Sequence, residues 1–430
     1  MNQSQTQSNQ ALVLGAGIIG LCSAYYLQQA GYEVSVIEQE HEVGRQTSYA
    51  NGAQLSYSYV APLAAPGVLS QVPKWLLNPD APMRLKPSLK PADICWGLNF
   101  AKACNAEQSR QTTKELLSLS FFSRDLYHEL FKDEIQGVDF DRPGKLVVHR
   151  DEAHFQSAVK QLEIQRALGC EQYALNTAEC IEKEPALAPL RSEIVGGIWT
   201  PSEEVVDSYK LCLALKENLQ QKGVQFLLSQ RVQALEPGRS QSSSAPEVSV
   251  RLANGERLHA DVIVVALGSF ANELLSPLRV GIPVGPLKGY SLTLDIEDKN
   301  QAPYVSITDY ERKVVYARIG DRLRIAGMAD RVGLDRSLDK RRIRTLINEA
   351  KKLFPGAGDL DNASQWAGLR PATPKGKPII DNTPYANLWL NVGHGALGLT
   401  LASGSGKLLT ELVCAQNTTI PAAPFKLAQA

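Results

Sequence analysis

The sequence predicts an α/β protein in which a domain with a parallel sheet is interleaved with an α+β domain that contains an antiparallel sheet. Near both ends of the chain, at residues 11–20 and 388–398, an apolar strand leads into a glycine-rich turn and a helix. A third run, residues 261–266, is apolar after its first residue, Asp261, and ends before Gly268, which is typical of a central parallel strand. Apolar and polar residues alternate instead, as in an antiparallel sheet, at residues 291–296, 314–318 and 323–326.

The first glycine turn has the residue types that a phosphate-binding turn needs. Gly15 allows the chain to turn sharply, Gly17 lets the backbone approach a pyrophosphate, and Gly20 permits close packing of the helix. The helix is expected from Ile18 through Ile19 to about residue 30, and its N-terminus favours a negative charge. An unrelated glycine-rich turn is the alternative interpretation.

An acidic residue follows the second predicted strand, residues 34–37. Glu38, with Gln39 beside it, comes about 20 residues after the glycines, the spacing at which a carboxylate accepts hydrogen bonds from an adenosine ribose. The complete order of strand, glycine turn, helix, strand and acid therefore predicts a dinucleotide site. A carboxylate at this position disfavours a 2′-phosphate.

Composition excludes several other classes. The chain has 430 residues with 45 basic and 45 acidic side chains, so no overall charge favours a nucleic acid partner. The seven cysteines form no CxxC pair and no metal-binding cluster, which predicts a reducing compartment and no structural metal. We find no signal peptide pattern and no long apolar run, and we expect a cytoplasmic protein.

Two further segments have the chemistry of a cofactor site. The loop after Glu38 offers amides, hydroxyls and the guanidinium of Arg45, although an ordinary surface turn is the alternative. The C-terminal turn places a second helix N-terminus where it would stabilise negative charge on a reduced ring. A packing turn in which His394 is only a hydrogen-bonded turn residue is the alternative there.

The chain also contains, in a consistent order, the segments RQTSYANGAQLS (45–56), APLAAPG (61–67), LKGYSL (287–292), AGLRPATPKGKPII (367–380) and NVGHGALGLT (391–400). Together with GAGIIG and Glu38 they resemble the D-amino-acid dehydrogenase small-subunit family, within the glycine oxidase and D-amino-acid oxidase group. The resemblance covers nearly the whole chain. It implies FAD in a Rossmann-like domain, an imino acid product that hydrolyses to a 2-oxo acid and ammonia, and electron transfer to a membrane quinone.

By this resemblance, each cofactor-binding position is assigned to a part of FAD. The ADP part is assigned to Gly15, Gly17, Ile18, Ile19, Gly20, Glu38, Gln39, Val232, Ala266 and Gly268. The flavin is assigned to Arg45, Thr47, Ser48, Asn51, Gly52, Ala53, Gln54, Gly393, His394, Gly395, Gly398 and Thr400.

Hydride transfer from an amino acid to flavin N5 needs a clamp for the carboxylate and a dry pocket. Arginine suits the clamp because its planar fork pairs with both carboxylate oxygens, and the resemblance favours Arg318 and Arg370. Tyr290 and Tyr57 are the other candidates that contact the substrate or close the pocket. Lys288 is open between a cation beside the ring and a surface charge, and no base is assigned.

The predicted FAD domain comprises residues 9–57, 205–273 and 366–430, and the substrate domain comprises 58–204 and 274–365. Residues 57–91 are expected to be irregular and 92–133 helical. From residue 55 to 104 there are five basic and two acidic side chains among apolar ones. This composition suits either a lid on the chain's own domain or a surface that contacts the inner face of the cell membrane.

The sequence thus predicts an FAD-dependent dehydrogenase of D-amino acids with a quinone-type acceptor. An oxygen-using oxidase, or an enzyme for glycine, sarcosine, proline or hydroxyproline, is the nearest alternative. A flavin-bearing structural subunit of a membrane redox complex is the alternative of another class. The amino acid side chain, the physiological acceptor and the oligomeric state are left open.

Overall fold

The computed structural model describes residues 9–78, 81–238 and 245–430. Within them the helices are α1 (Ile18–Gln29), α2 (Val68–Leu77), α3 (Pro91–Ala103), α4 (Ala106–Asp133), α5 (Glu152–Ala167), α6 (Thr177–Lys183), α7 (Ser208–Gln221), α8 (Ala271–Leu275), α9 (Lys340–Leu353) and α10 (Gly398–Val413). The strands are β1 (Gln10–Leu14), β2 (Glu33–Ile37), β3 (Gln54–Leu55), β4 (Met83–Leu85), β5 (Lys145–His149), β6 (Tyr173–Asn176), β7 (Gly196–Thr200), β8 (Glu204–Val205), β9 (Gln225–Leu227), β10 (Val232–Gly238), β11 (Glu247–Leu252), β12 (Arg257–Leu258), β13 (Val262–Val265), β14 (Gly285–Asp295), β15 (Ser306–Asp309), β16 (Val314–Ile319), β17 (Arg322–Arg331), β18 (Ser364–Ala372), β19 (Ile379–Asn382) and β20 (Leu388–Val392).

The first large sheet has the strand order β19-β20-β13-β1-β2-β9 in the described part of the chain. All neighbours are parallel except β19, which runs antiparallel to β20. The predicted central strand is confirmed, because β13 lies between β1 and β20 and all four of its residues are buried. Apolar residues cover both faces of such a strand because helices or further strands pack on each side of the sheet.

Helices α1, α4, α7 and α10 form one apolar core with the first face of this sheet. The small antiparallel sheet β10-β11-β12 and α8 form a second core on the opposite face. Helix α1 packs closely on α10 at Gly406, where an added Cβ would lie 2.7 Å from the backbone of Cys22. Two layers of packing therefore fix the ends of β1, β13 and β20.

The second large sheet has the order β18-β14-β17-β16-β15-β5-β7-β6, with β4 paired to β17. The predicted antiparallel pairing is confirmed for β14, β16 and β17. Two pairs, β5 with β15 and β4 with β17, are parallel and were not predicted. Helix α9 covers one face with Ile343, Leu346, Ala350 and Leu353, and the side chain of Asp339 caps its N-terminus.

The expectation of an irregular segment at residues 57–91 is wrong, because α2 and β4 lie within it. Pro73 inside α2 obscured the helical pattern, since proline normally interrupts a helix. Trp75 of α2 packs with Ala81 and Met83, and β4 is held by pairing to the distant β17. These tertiary contacts are invisible in the local sequence.

The predicted helical region 92–133 is confirmed as two helices, α3 and α4, separated at Asn105, whose side chain caps α4. The buried face of α4 belongs to the core of the parallel sheet. The proposed domain boundaries assign α4 to the other domain, and those boundaries stay a prediction.

We expect Gly406→Ala to lower the free energy of unfolding by about 1–3 kcal/mol, because its Cβ would press on the backbone of α1. Gly97→Ala is the matched control, since Gly97 is also helical and an added Cβ there meets no atom within 4 Å. Alanine should leave that site unchanged or stabilise it by about 0.5–1 kcal/mol. Urea denaturation of both variants measures the difference, and equal effects would contradict the close α1–α10 contact.

Candidate active site

Strands β1, β13 and β20 end side by side, and the turns that follow them line one cavity of about 570 Å³. Each turn contributes residues that the sequence singled out: Gly15, Gly17, Ala266, Gly268, Gly393, Gly395 and Gly398. Ligands of open α/β sheets bind outside the carboxyl ends of the strands, and this volume is within the range of small-molecule sites. The two ends of the chain thus contribute to a single site.

The turn after β1 is built for close approach of a ligand to the backbone. Gly15 has a φ of 102°, and a Cβ there would lie 2.9 Å from the carbonyl oxygen of Ala266. Helix α1 begins after Gly17 without a side-chain cap, while the amide of Ile18 donates to Ser48 Oγ at 3.1 Å. The helix therefore presents uncapped amides and the positive end of its dipole to the cavity.

Glu38 is 8% exposed and lines the cavity together with Gln39 and Val232. Its Oε2 accepts from the amide of Ala16 at 2.8 Å, and its Oε1 accepts from the amide of Glu40 at 3.0 Å. Burial raises the pKa of this carboxyl, and the amides oppose the rise. The two backbone bonds hold the carboxylate in place, and each oxygen keeps a lone pair for a ribose hydroxyl.

The loop between β2 and β3 forms another wall through Thr47, Ser48, Asn51 and Gly52. Thr47 Oγ1 donates to the carbonyl of Leu369 at 2.8 Å, so the loop is tied to β18. The Asn51 side chain accepts from the amide of Ala53 at 2.9 Å, which fixes the turn. The polar loop therefore has a defined shape where it meets the cavity.

The end of β20 and the turn after it contribute Asn391 and His394 to the wall. His394 Nε2 lies 3.0 Å from Ser405 Oγ, and burial lowers the pKa of His394 to about 3, so the ring is neutral at physiological pH. Asn391 Oδ1 is buried without a hydrogen-bond partner among the described residues. Helix α10 begins here without a side-chain cap. Unpaired polar groups at this turn fit a ligand that forms hydrogen bonds.

Arg370 and Tyr290 line the part of the cavity formed by β14 and β18. Arg370 Nη1 donates to the carbonyl of Met328 at 2.7 Å, and no carboxylate pairs with this guanidinium within the described part of the chain. Burial lowers the pKa of Arg370. Tyr290 donates its hydroxyl proton to Asp330 Oδ2 at 3.0 Å. The site thus contains a cation without an acidic partner.

A β-bulge orients these groups. The register between β14 and β17 shifts between Lys288 and Tyr290, and Met328 adopts a φ of 62°, which is rare for a residue other than glycine. The bulge directs the Met328 carbonyl at Arg370, whose guanidinium lies over Gly289. A Cβ at Gly289 would lie 2.3 Å from Arg370 Nη2.

Seven predicted residues do not line this cavity, and three of them, Arg318, Tyr57 and Arg45, are held by contacts elsewhere. Arg318 donates from Nη2 to the carbonyls of Lys299 at 2.7 Å and Ala302 at 3.0 Å, so it secures a loop. Tyr57 is fully buried and donates to Glu204 Oε2 at 2.9 Å. Arg45 stacks on the ring of Tyr49, with 4.7 Å between the guanidinium carbon and the ring centroid.

Other predicted positions support the cavity from behind. Gly20 packs under the first turn, where a Cβ would lie 1.9 Å from the carbonyl oxygen of Gly15. Thr400 Oγ1 accepts from the amide of Ser56 at 3.0 Å, and Gln54 Nε2 donates to Ser306 Oγ at 2.6 Å. Ala53 is buried beside β8 and β16.

Lys288 is neither of the two alternatives left open by the sequence. Its side chain is buried outside the cavity, and its Nζ donates to Asp335 Oδ2 at 2.9 Å. This ion pair holds the pKa of Asp335 at about 2.

The cavity also includes residues that the sequence analysis missed, among them Trp366 and Arg336. Trp366, Gly368 and Arg370 alternate along β18 and all line the cavity, so the period of a strand is the signal that would have found Trp366. Arg336 lies in the loop after β17 and donates to Gln46 Oε1. No local sequence pattern marks that loop contact.

Comparison with known proteins gives the family. The sequence model of the DAO family, described as FAD dependent oxidoreductase, matches residues 10–412. The chain belongs to this family.

Among the curated relatives, D-amino acid dehydrogenase 2 of Ralstonia nicotianae is 48% identical over an alignment 432 residues long. This alignment covers 98% of this chain and 100% of that protein. D-amino acid dehydrogenase 2 of Pseudomonas aeruginosa is 46% identical and covers 93% and 94%. Glycine oxidase from Geobacillus kaustophilus has a similar fold, with a TM-score of 0.76, 19% identity and coverage of 98% and 100%. L-proline dehydrogenase from P. horikoshii has a TM-score of 0.75 at 17% identity, covering 97% and 96%.

The predicted fold class and the FAD cofactor are therefore confirmed. The cavity fits this cofactor in its chemistry. The glycine turn and uncapped start of α1 suit a pyrophosphate, Glu38 suits a ribose, and the unpaired Asn391 Oδ1 and second uncapped helix suit a polar ring. The assignment of individual residues to parts of FAD stays a prediction.

We expect Glu38→Gln to raise the dissociation constant of FAD by about 10- to 100-fold, because hydrogen bonds to charged groups contribute about 1.5–3 kcal/mol. Fluorescence titration of the apoprotein with FAD measures this constant. Glu42→Gln is the matched control, since Glu42 pairs with Lys216 at 2.8 Å and does not line the cavity. Equal dissociation constants for the two variants would contradict a ribose-binding role for Glu38.

Proposed function

We propose that this chain oxidises D-amino acids to imino acids, which hydrolyse to 2-oxo acids and ammonia, and that the electrons pass to a quinone-type acceptor. Arg370 carries the proposal, because it is a partly buried cation without an acidic partner in the described structure and it lines the FAD cavity. The D-amino acid dehydrogenases at 37–48% identity support the same substrate class. FAD, when bound, accepts the hydride from the amino acid α-carbon.

Arg370 is suited to bind the substrate carboxylate. The Met328 carbonyl accepts from only one of its nitrogens at 2.7 Å, which fixes the plane of the guanidinium and leaves other N–H donors for both carboxylate oxygens. Burial strengthens this pairing because little water competes. An amino acid held in this way is oriented by its carboxylate, so only one of its other groups needs to be positioned.

Tyr290 provides the second contact with the substrate. Its hydrogen bond to Asp330 determines whether the hydroxyl donates to the substrate or accepts from it. Its proton is donated to Asp330, which also accepts from Arg84 at 2.7 Å and from Arg342. Burial raises the pKa of Tyr290, so the hydroxyl stays protonated. The phenolic oxygen is consequently an acceptor toward the cavity, and the substrate amino group is the matching donor. Of the two roles that the sequence left open for Tyr290, this proposal takes contact with the substrate rather than closure of the pocket.

We expect Arg370→Met to raise the KM for D-alanine by about 10- to 100-fold, because the lost charged hydrogen bonds contribute about 1.5–3 kcal/mol. The bound FAD content should be unchanged. Steady-state rates with an artificial acceptor, and absorbance of the released flavin, measure the two quantities.

Arg318→Met is the matched comparison, since the sequence favoured both arginines but Arg318 bonds to backbone carbonyls outside the cavity. It should leave the KM within about twofold, because no substrate contact is removed. A large increase for Arg318→Met with little effect of Arg370→Met would reverse the assignment.

We propose in addition that the surface formed by α2, α3 and the loop between β4 and α3 contacts an anionic membrane. No helix in the described ranges is long and apolar enough to cross a bilayer. This surface instead exposes large apolar side chains: Leu69, Leu76, Leu77, Leu89, Ile94 and Leu98. Lys86, Lys90 and Lys102 are exposed nearby. Apolar side chains beside cations suit the boundary of an anionic bilayer.

The alternative that residues 55–104 form a lid on the chain's own domain applies to the side of this segment that packs on the protein. Trp96 donates to the carbonyl of Ala372 at 3.0 Å and stacks on Phe100, so α3 is anchored to the chain's own fold. The inner side thus fixes the helices and leaves the leucines exposed. Of the charges counted in the sequence, Asp80 and the side chain of Lys74 lie outside the described residues.

We expect Leu89→Gln to weaken binding to phosphatidylglycerol vesicles by about 10-fold or more, since burying a leucine contributes about 1.5–3 kcal/mol. Leu89 is 92% exposed, so the fold should be unaffected. Ile164→Gln, at an exposed position on α5, is the control. Vesicle co-sedimentation measures binding, and no binding of the unaltered protein, or an equal loss in both variants, would contradict this surface.

A further inference from the structure

A second cavity of about 450 Å³ lies next to the FAD site. Ala50 and Trp366 line both cavities, so they form a wall between them. Tyr49 and Tyr209 also line the second cavity, and their rings pack with centroids 4.8 Å apart. The second cavity therefore has three aromatic side chains in its wall, one of which, Trp366, also lines the FAD cavity.

Arg324 is the buried cation of this second cavity. It is 4% exposed, its Nε donates to Thr293 Oγ1 at 2.7 Å, and its Nη1 donates to the carbonyl of Asn51 at 2.7 Å. Asn51 itself lines the FAD cavity. No carboxylate pairs with Arg324 in the described structure, whereas the neighbouring Arg322 pairs with Asp139 and Asp207. Arg324 thus retains donor capacity beside the loop that contacts the cofactor.

Burial lowers the pKa of Arg324 to about 10, so the guanidinium is still charged at neutral pH. The hydrogen-bond partners of Arg324, the Thr293 hydroxyl and the Asn51 carbonyl, are both neutral, so its buried charge is poorly compensated. Proteins avoid such a charge at positions without a function. A bound ligand with a carbonyl oxygen would accept the remaining N–H donors.

Charge at the mouth of the cavity restricts the class of ligand. Asp295 and Glu297 are exposed and line the cavity together with Asp359, whose pKa is lowered by hydrogen bonds from Asn362. Three carboxylates at the mouth repel an anion, while Arg324 inside repels a cation; the other two charged residues in the lining, Arg322 and Asp207, pair with each other. A neutral ring that carries hydrogen-bond acceptors fits both conditions, and the aromatic walls suit its faces.

We propose that the second cavity binds the head group of a neutral quinone, with one quinone carbonyl accepting a hydrogen bond from Arg324. The inference rests on the proposed function, which requires an electron acceptor. Two electrons would pass from the reduced cofactor across the wall formed by Ala50 and Trp366 to the quinone, the reduced cofactor would release its two protons to solvent, and the two quinone oxygens would take up two protons from solvent at the mouth of the second cavity, which would give a quinol and restore oxidised FAD. Arg324 stabilises the negative charge that develops on the nearer oxygen during this transfer.

A separate acceptor site agrees with the positions of the two arginines. Arg370 lines the FAD cavity and is assigned to the amino acid, whereas Arg324 lines the second cavity. Trp366 contributes to both, so a quinone in the second cavity would contact a side chain that also contacts the cofactor site. Substrate and acceptor then do not compete for one pocket.

The test is the reoxidation of enzyme that has been reduced anaerobically with dithionite, so that it does not depend on the amino acid. The reduced holoenzyme is mixed with increasing concentrations of a water-soluble neutral benzoquinone, and the return of flavin absorbance is followed by stopped flow. Ser364→Trp places a large side chain in the second cavity from an exposed position on β18. Asn362→Trp does the same from the mouth. Ser192→Trp, at an exposed position that lines neither cavity, is the matched control.

We expect the reoxidation rate of the unaltered enzyme and of Ser192→Trp to saturate with quinone concentration. The half-saturating concentration should rise at least tenfold in Ser364→Trp or Asn362→Trp, while the FAD content stays the same. A linear dependence without saturation in the unaltered enzyme, or unchanged half-saturation in both cavity variants, would overturn the proposal. Reduction of the same preparations by D-alanine is measured separately, so failure of the proposed function is distinguishable from failure of the quinone site.

Discussion

The adjacency of three parallel strands, β20, β13 and β1, is the constraint on which the site depends. Ala11 pairs with Val262, and Ile263 pairs with Leu388, so segments from the start, middle and end of the chain share one hydrogen-bonded register. Parallel strands place their carboxyl ends at the same edge, and the three turns therefore meet in one cavity. Packing on both faces of this sheet stabilises the register, because a shift by one residue would expose buried side chains.

The chemistry of the two cavities depends on guanidinium charges that the fold shields from solvent without pairing them with acidic side chains. Arg370 and Arg324 are both held by backbone carbonyls, of Met328 and Asn51 respectively. A carbonyl fixes the orientation of a guanidinium without neutralising it, so the charge stays available to a ligand. The two arginines line different cavities, which is the physical basis for assigning the amino acid to one and the electron acceptor to the other.

Local sequence was sufficient to predict the features that one continuous segment of the chain forms by itself. The strand, glycine turn, helix and Glu38 were predictable because glycine spacing and apolar periodicity carry that information. The sequence favoured Arg318 as a cavity residue, but the structure places it outside the cavity. The alternation of apolar and polar residues along β16 does not reveal that the carbonyls of Lys299 and Ala302 accept its hydrogen bonds. The bulge at Met328 was equally hidden, since it arises from the pairing of two strands rather than from either alone. Long-range contacts thus decided which of two plausible arginines lines the site.

Both cavities acquire their function from one reaction, the reduction by a D-amino acid of FAD bound in the first cavity. The most direct measurement mixes the purified holoprotein anaerobically with D-alanine, or with L-alanine, and follows the visible absorbance of the flavin. We expect loss of that absorbance with D-alanine and little change with L-alanine, followed by recovery when a quinone is added. A protein that contains no FAD, or a flavin that D-amino acids leave oxidised, would show that this chain is not a flavin-dependent D-amino acid dehydrogenase.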